Sequence, residues 1–170
     1  MKSKLVWITG LAGAGKTTVA KQIFNLLKGR FPNTAMIDGD DFREVFDNDL
    51  GYDMEDRIKN ARRIVKMCRY LCCQDLNVVC ATMSLYKEIH EFIYDNFENP
   101  LIVYLDIPIE ELKKRNKKNL YSSGINVSGI DQNIDEPRHD SYVVKINNTV
   151  TPNVTVNKIM ERLKIYGTDN

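Results

Sequence analysis

The chain has 170 residues, and its 24 Lys and Arg nearly balance its 23 Asp and Glu, for a net charge of +1. Because the charges are balanced and form no basic block, we do not expect a nucleic-acid-binding surface. The length predicts a single domain, residues 1–170, built around one core. The apolar run near the N-terminus is short and broken by glycines, so we predict neither a signal peptide nor a membrane span and expect a cytoplasmic protein.

The first predicted element is a buried strand, residues 5–9, that leads into a phosphate-binding loop. Residues 10–18 match the full G-x-x-x-x-G-K-[ST] pattern, and the apolar spacing over 16–28 predicts a helix. The glycines let backbone N–H groups curl around a phosphate, where we expect Lys16 to reach the β- and γ-phosphates and Thr17 to ligate Mg²⁺. The predicted ATP-binding residues of this loop are Gly10, Ala12, Gly13, Ala14, Gly15, Lys16, Thr17 and Thr18.

A second predicted strand, residues 34–37, ends in the carboxylate-rich segment Asp38-Gly39-Asp40-Asp41. Ligands of open α/β sheets bind at the carboxyl ends of the strands. Asp38 and Asp40 are therefore candidates to hold Mg²⁺ through water or to accept a proton from an acceptor hydroxyl. A short helix over 42–46 is predicted to follow.

A long helix is predicted from residue 54 to about residue 73. Arg57, Asn60 and Arg63 are spaced by three residues, so they share one face near its start. That face is either solvated or anion-binding, and the sequence leaves both open. In the anion-binding interpretation, Arg43, Arg57 and Arg63 clamp an anionic acceptor.

The rest of the chain alternates between strand and helix patterns. The further predicted strands are 78–82, 101–105 and 142–146, and the further predicted helices are 86–96, one ending near 115, and one ending near 165. Residues 116–137 are rich in Gly, Ser, Asn and Asp without periodicity, which predicts a lid or binding loop. The alternation predicts an α/β P-loop NTPase fold with a five-stranded parallel sheet and helices on both faces.

Four cysteines fall within these predicted elements: Cys68, Cys72 and Cys73 in the long helix and Cys80 in the third strand. They lack the paired spacing of a metal site. We interpret them as small core residues, with a redox or zinc role as the alternative.

The sequence offers candidate residues for each role that phosphoryl transfer requires: binding the donor phosphates, holding a metal ion, binding the acceptor and accepting its proton. The rival class is a GTP- or ATP-dependent regulatory switch, because Asn116-Lys117-Lys118-Asn119 resembles the guanine-reading Asn-Lys-x-Asp. The final Asp of that motif is missing, and the tetrapeptide follows a predicted helix rather than a strand. A kinase is therefore the favoured interpretation.

As a set, these motifs resemble the adenylylsulfate (APS) kinase family across nearly the whole chain. The matching residues are Gly10 to Thr18, Asp38-Gly39-Asp40, Arg43, Gly51-Tyr52, Asp56-Arg57, Asn60, Arg62-Arg63, Ser84, Tyr86, Arg115, Lys118, Leu120-Tyr121, Gly129-Ile130-Asp131 and Pro137. The resemblance implies phosphorylation of the ribose 3′-hydroxyl of a nucleotide by ATP and Mg²⁺, in a homodimer. It implies that Asp40 is the base or orienting group.

The resemblance also extends the expected site. It implies that Arg115 contacts ATP, and that the acceptor contacts are Asp40, Arg43, Arg57, Asn60, Arg63, Thr82, Met83, Ser84, Lys118, Leu120, Val127, Ile130 and Asp131. Two phenylalanines that sandwich adenine in the family are replaced, in this interpretation, by Thr82 and Val127. Stacking of a base on an aromatic ring contributes about 1–3 kcal/mol, so the loss of both rings should weaken the binding of adenine. Within the family, the chain therefore resembles the branch that phosphorylates cytidine diphosphoramidate in capsule phosphoramidate synthesis, with APS as the alternative acceptor.

Overall fold

The computed structural model describes residues 4–115, 129, 132–140, 143–147 and 152–165. The strands are β1 (Leu5–Gly10), β2 (Thr34–Asp38), β3 (Asn77–Ala81), β4 (Leu101–Leu105) and β5 (Val143–Ile146). The helices of the described ranges are α1 (Lys16–Arg30), α2 (Gly39–Val45), α3 (Met54–Cys73), α4 (Lys87–Asn96), α5 (Ile109–Arg115) and α6 (Pro152–Ile165). All neighbouring strands pair in parallel in the order β2-β3-β1-β4-β5, so the predicted fold is confirmed.

The central strand β1 is buried along its whole length, which explains its nearly unbroken apolar sequence. Val6 and Ile8 pack into one apolar cluster with α1, α5 and α6. Leu5 and Trp7 point to the opposite face, as alternation along a strand requires, and pack into a second cluster with α3 and α4. Helices therefore cover both faces of the sheet. Packing in the two clusters fixes the position of the strands, and with it the position of the residues that follow them.

Side-chain caps set where two of the helices begin. Asp53 caps α3 by accepting a hydrogen bond from the backbone N–H of Asp56 at 2.9 Å. Asp38 caps α2 by accepting one from the backbone N–H of Asp40 at 3.0 Å. Because Asp38 is a strong cap, α2 begins at Gly39, three residues before the predicted start.

The cysteines are free thiols and are buried to different degrees. Cys68 and Cys80 lie fully inside the second cluster, as predicted. Cys72 is half-buried, and Cys73 is exposed, so its interpretation as a core residue was wrong; it ends α3 on the solvent side. In the described ranges, His, Cys, Asp and Glu form no group of three or more that could hold a metal, and no helix has the length and apolarity to cross a bilayer.

Candidate active site

The phosphate loop joins β1 to α1 and leaves the start of that helix open to an anion. Gly13 and Gly15 have φ angles of +78° and +95°, which side chains rarely adopt. Gly15 is the N-cap and offers no side chain, and the first turn of α1 contains no acidic residue. A phosphate at this turn would therefore meet backbone N–H groups and the positive end of the helix dipole, with no carboxylate of the turn to repel it.

Lys16 and helix α5 border this loop. Nζ of Lys16 folds back over it and donates to the carbonyl of Leu11 at 2.9 Å. A β-carbon on Gly13 would lie 3.8 Å from Cδ2 of Leu112, so α5 packs beside the loop. Arg115 follows Leu112 by three residues on the same helix. Lys16 thus lies over the loop where the donor phosphates were predicted, and the contact of Arg115 with ATP stays a prediction.

The end of β2 meets the start of α1 through a direct hydrogen bond. Oγ1 of Thr17 donates to Oδ2 of Asp38 at 2.7 Å, across 21 residues of sequence. A hydroxyl and a carboxylate are the hard oxygen donors that Mg²⁺ prefers, and Mg²⁺ commonly takes few protein ligands beside phosphate and water. The residues present therefore fit the predicted metal. Asp40 is exposed at the first turn of α2, beside this pair.

The turn after β2 lies against the end of β3 so closely that only glycine fits at position 39. A β-carbon on Gly39 would lie 2.8 Å from Oγ1 of Thr82. Thr82 is 6% exposed, and its hydroxyl shares a 3.1 Å hydrogen bond with Ser84. This placement suits packing of the turn more than contact with a nucleotide base. Thr82 therefore offers no stacking surface here, and its contact with the acceptor stays a prediction.

Two predicted acceptor-binding arginines surround Tyr52, a residue that our sequence reasoning used only as a motif match. Nη1 of Arg43 donates to the carbonyls of Leu50 and Gly51 at 2.9 and 3.1 Å, and its guanidinium lies 4.6 Å from the Tyr52 ring centre. Nε of Arg57 donates to the Tyr52 carbonyl at 2.7 Å, and its guanidinium lies 5.3 Å from the ring. The Tyr52 side chain is 56% exposed. A partly exposed aromatic ring with two cations over it can contact a base and attract an anion.

Other predicted acceptor residues lie around Arg57. Asn60 is buried one turn later on α3. Sδ of Met83 is 4.0 Å from Nη1 of Arg57. The backbone N–H of Ser84 donates to Oγ1 of Thr9 at 3.4 Å, which holds the segment after β3 on the central strand. Arg63 lies two turns after Arg57 in α3, and its guanidinium binds the carboxylate of Asp49.

The end of the predicted lid touches the acceptor side. Nε2 of Gln132 donates to the Tyr52 carbonyl at 3.1 Å, and the backbone N–H of Asp135 donates to the carbonyl of Leu85 at 2.9 Å. The carboxylate of Asp135 accepts from the backbone N–H of Lys87 at 2.9 Å. Sequence reasoning did not select Gln132 or Asp135. The predicted site residues that lie outside the described ranges are Lys118, Leu120, Val127, Ile130 and Asp131.

His90 lies beneath this segment on α4 and gives the protein a pH-dependent stability. It is 3% exposed, and burial lowers its pKa from 6.5 to about 4, against the opposing effects of the Ser84 backbone and Asp135. The unfolded chain therefore binds more protons between these values, and the free energy of unfolding falls as the pH drops from about 7 to about 5, by about 2 kcal/mol from this group. Urea unfolding of the wild type should show this loss. His90→Gln should lose about 2 kcal/mol less over the same interval, whereas His139→Gln, at an exposed position, should follow the wild type. Equal losses in all three proteins would contradict the assignment.

These features together define the class of the protein. A central parallel strand that runs into a G-x-x-x-x-G-K-[ST] loop, with a carboxylate from the next strand on the first hydroxyl of the helix, is the arrangement of a P-loop kinase. The family model described as adenylylsulphate kinase matches residues 2–145. The chain therefore belongs to the adenylylsulphate kinase family of phosphotransferases, and the resemblance found in the sequence is confirmed.

Relatives with two different names are similar to this chain. The cytidine diphosphoramidate kinase of Campylobacter jejuni is 32% identical over 155 residues, which are 88% of this chain and 89% of that protein. The adenylyl-sulfate kinase of Clostridium kluyveri is 30% identical over 165 residues, 94% of this chain and 82% of that protein. Among solved structures, the Mycobacterium tuberculosis APS kinase CysC in complex with AMPPNP and APS matches with a TM-score of 0.83 and 25% identity, over 96% of this chain and 98% of that one.

Proposed function

We propose that this protein is a kinase that transfers the γ-phosphate of ATP to the ribose 3′-hydroxyl of a nucleotide, with cytidine diphosphoramidate as the favoured acceptor. It would then serve capsule phosphoramidate synthesis in the cytoplasm, and the family resemblance supports a homodimer. The observation that carries the proposal is the hydrogen bond from Thr17 to Asp38, because it brings the carboxylates after β2 to the phosphate loop. The second candidate acceptor is APS, with 3′-phosphoadenylylsulfate as the product; the APS complex of the solved relative favours it.

On the donor side, the phosphate loop and Lys16 hold the triphosphate. The loop amides and the start of α1 bind the β- and γ-phosphate oxygens, and Lys16 exchanges the Leu11 carbonyl for a phosphate oxygen. Thr17 and Asp38 would hold Mg²⁺, directly or through water. The ion supplies charge compensation for the transferred phosphoryl group.

On the acceptor side, Asp40 and the arginines orient the nucleotide. Asp40 accepts the proton of the 3′-hydroxyl or orients that hydroxyl toward the γ-phosphate. Arg43 and Arg57 bind the anionic diphosphate arm, and Asn60 lies within one turn of Arg57 on the same helix face. The exposed part of the Tyr52 ring contacts the base. The residues thus divide into a donor group and an acceptor group that meet at Asp38 and Asp40.

The preference for a pyrimidine rests on the base contacts. The identities to the two kinds of relative are too similar to separate the acceptors. Thr82 is buried in the turn and offers no stacking surface, and Val127 carries no ring. Compared with a site that has two aromatic rings, a site with only the ring of Tyr52 costs the larger purine more stacking area than it costs a pyrimidine. Cytidine diphosphoramidate therefore suits this side better than APS.

A panel of acceptors tests the proposal. Purified protein with ATP and Mg²⁺ is assayed for ADP release with cytidine diphosphoramidate, CDP, APS and the 3′-deoxy analogues, and phosphorus NMR locates the added phosphate. We expect a cytidine diphosphate derivative to have the highest kcat/KM and the 3′-deoxy analogues to be inert. A preference for APS of more than about tenfold, or about 1.4 kcal/mol, would show that other residues form an adenine pocket. Nucleotide binding without acceptor-dependent ADP release would indicate a regulatory switch.

A further inference from the structure

The loop between α2 and α3, residues 46–53, presents Tyr52 but has little burial to hold its shape. Its residues are exposed except for Leu50, which is half-buried. The end of the loop is fixed by Arg43, through the carbonyls of Leu50 and Gly51, and by Asp56, whose carboxylate accepts from the Gly51 N–H at 2.7 Å. The conformation of this α2–α3 loop therefore depends on side chains of the flanking helices.

Arg63 of α3 holds the middle of the same loop. Its Nη1 and Nη2 donate to the two carboxylate oxygens of Asp49 at 2.7 and 2.9 Å, and its guanidinium lies 4.7 Å from the Phe46 ring centre. Two parallel hydrogen bonds make such a pair more directional than an ordinary surface ion pair. The hydrogen bonds lower the pKa of Asp49 and raise that of Arg63. The carboxylate of Asp49 thus occupies the guanidinium that sequence spacing assigned to the acceptor.

We propose that Arg63 is a positioning residue, which acts on the acceptor through Asp49 and the α2–α3 loop and does not bind the acceptor itself. The inference rests on the proposed kinase function. When the pair is lost, the loop loosens, and Tyr52 moves with it relative to Arg57. The phosphate loop is held by separate contacts of Lys16 and Thr17, so the KM for ATP should not change.

A charge exchange between the two residues tests this inference. The variants are Arg63→Ala, Asp49→Ala and the double variant Asp49→Arg with Arg63→Asp. The readouts are the KM values for acceptor and ATP, kcat, and hydrogen exchange of peptides that cover residues 46–53. We expect each single variant to raise the acceptor KM about fivefold to tenfold, a coupling typical of contacting residues, and to speed exchange of the loop. The double variant should restore both toward the wild type.

Arg62→Ala is the matched control. Arg62 is adjacent on α3 and makes the same kind of pair, with two 2.7 Å hydrogen bonds, but its partner is Glu88 on α4. The variant Arg62→Ala should leave the hydrogen exchange of the α2–α3 loop and the acceptor KM near the wild-type values. The inference is overturned if Arg63→Ala alone raises the acceptor KM while loop exchange stays unchanged, or if the double variant fails to restore both readouts.

The same experiment separates this inference from the proposed function. A wild-type protein that is inactive with every acceptor refutes the kinase proposal by itself. Hydrogen exchange then decides whether the pair of Arg63 and Asp49 holds the loop. Slower exchange in the double variant than in the single variants supports this role, and failure to restore slow exchange overturns it.

Discussion

Lys16→Ala is expected to lower kcat at least about a hundredfold, equivalent to about 3 kcal/mol, because it removes a preorganised charge contact to the transferring phosphoryl group. The Nζ of Lys16 is already held over the phosphate loop by the Leu11 carbonyl, so little reorganisation precedes its contact with phosphate. Its loss should leave the fold intact, since the core side of α1 is formed by Val19, Ala20 and Ile23. Acceptor-dependent ADP release measures the rate.

Lys21→Ala is the matched control for that experiment, because Lys21 lies on an exposed position of the same helix. It should keep wild-type kcat. Thermal unfolding of both variants checks that helix α1 remains folded. Near-normal turnover of Lys16→Ala with every candidate acceptor would remove the phosphate loop from the mechanism and with it the assignment as a kinase.

The phosphate loop and the sheet could be predicted from sequence because their signals are local. A buried apolar run, a glycine pattern and a helical period follow one another within residues 5–28, so no distant contact is needed to interpret them. The carboxylates after β2 could also be placed, since parallel strands end at one edge of the sheet. The hydrogen bond between Thr17 and Asp38 is the contact that this topology creates.

The acceptor side was harder to predict because its roles depend on contacts between elements. Arg57 and Arg63 have the same spacing signal on α3, yet one lies beside Tyr52 and the other binds Asp49. Only the path of the α2–α3 loop separates these roles. Likewise, Thr82 follows a strand as a ligand-binding residue does, but the close approach of Gly39 buries it. An aromatic residue directly after Gly51, in a loop that joins the helix of Arg43 to the helix of Arg57, was the signal that could have identified Tyr52.

Asp40→Asn is the second change with a large expected effect, and it separates the roles of the two carboxylates. The side chain of Asp38, not that of Asp40, makes the α2 cap and accepts the Thr17 hydrogen bond. Asparagine at 40 should therefore keep the helix start and the metal-binding pair while losing the base. We expect kcat to fall about a hundredfold or more, within the range of general-base contributions, with little change in the Mg²⁺ requirement.

Asp38→Asn is the comparison variant for this prediction, because it should change the Mg²⁺ requirement that Asp40→Asn leaves unchanged. Asparagine at 38 can keep the α2 cap through its amide oxygen and turn its NH2 group to the Thr17 hydroxyl, but it removes the negative charge and one of the two oxygens that could serve Mg²⁺. This variant should raise the Mg²⁺ concentration needed for half-maximal activity, whereas Asp40→Asn should not. Titrating Mg²⁺ at saturating ATP and acceptor, with both variants side by side, measures the difference. If Asp40→Asn keeps the maximal rate and raises only the Mg²⁺ requirement, the two roles are exchanged: Asp40 serves the metal, and Asp38 faces the acceptor hydroxyl.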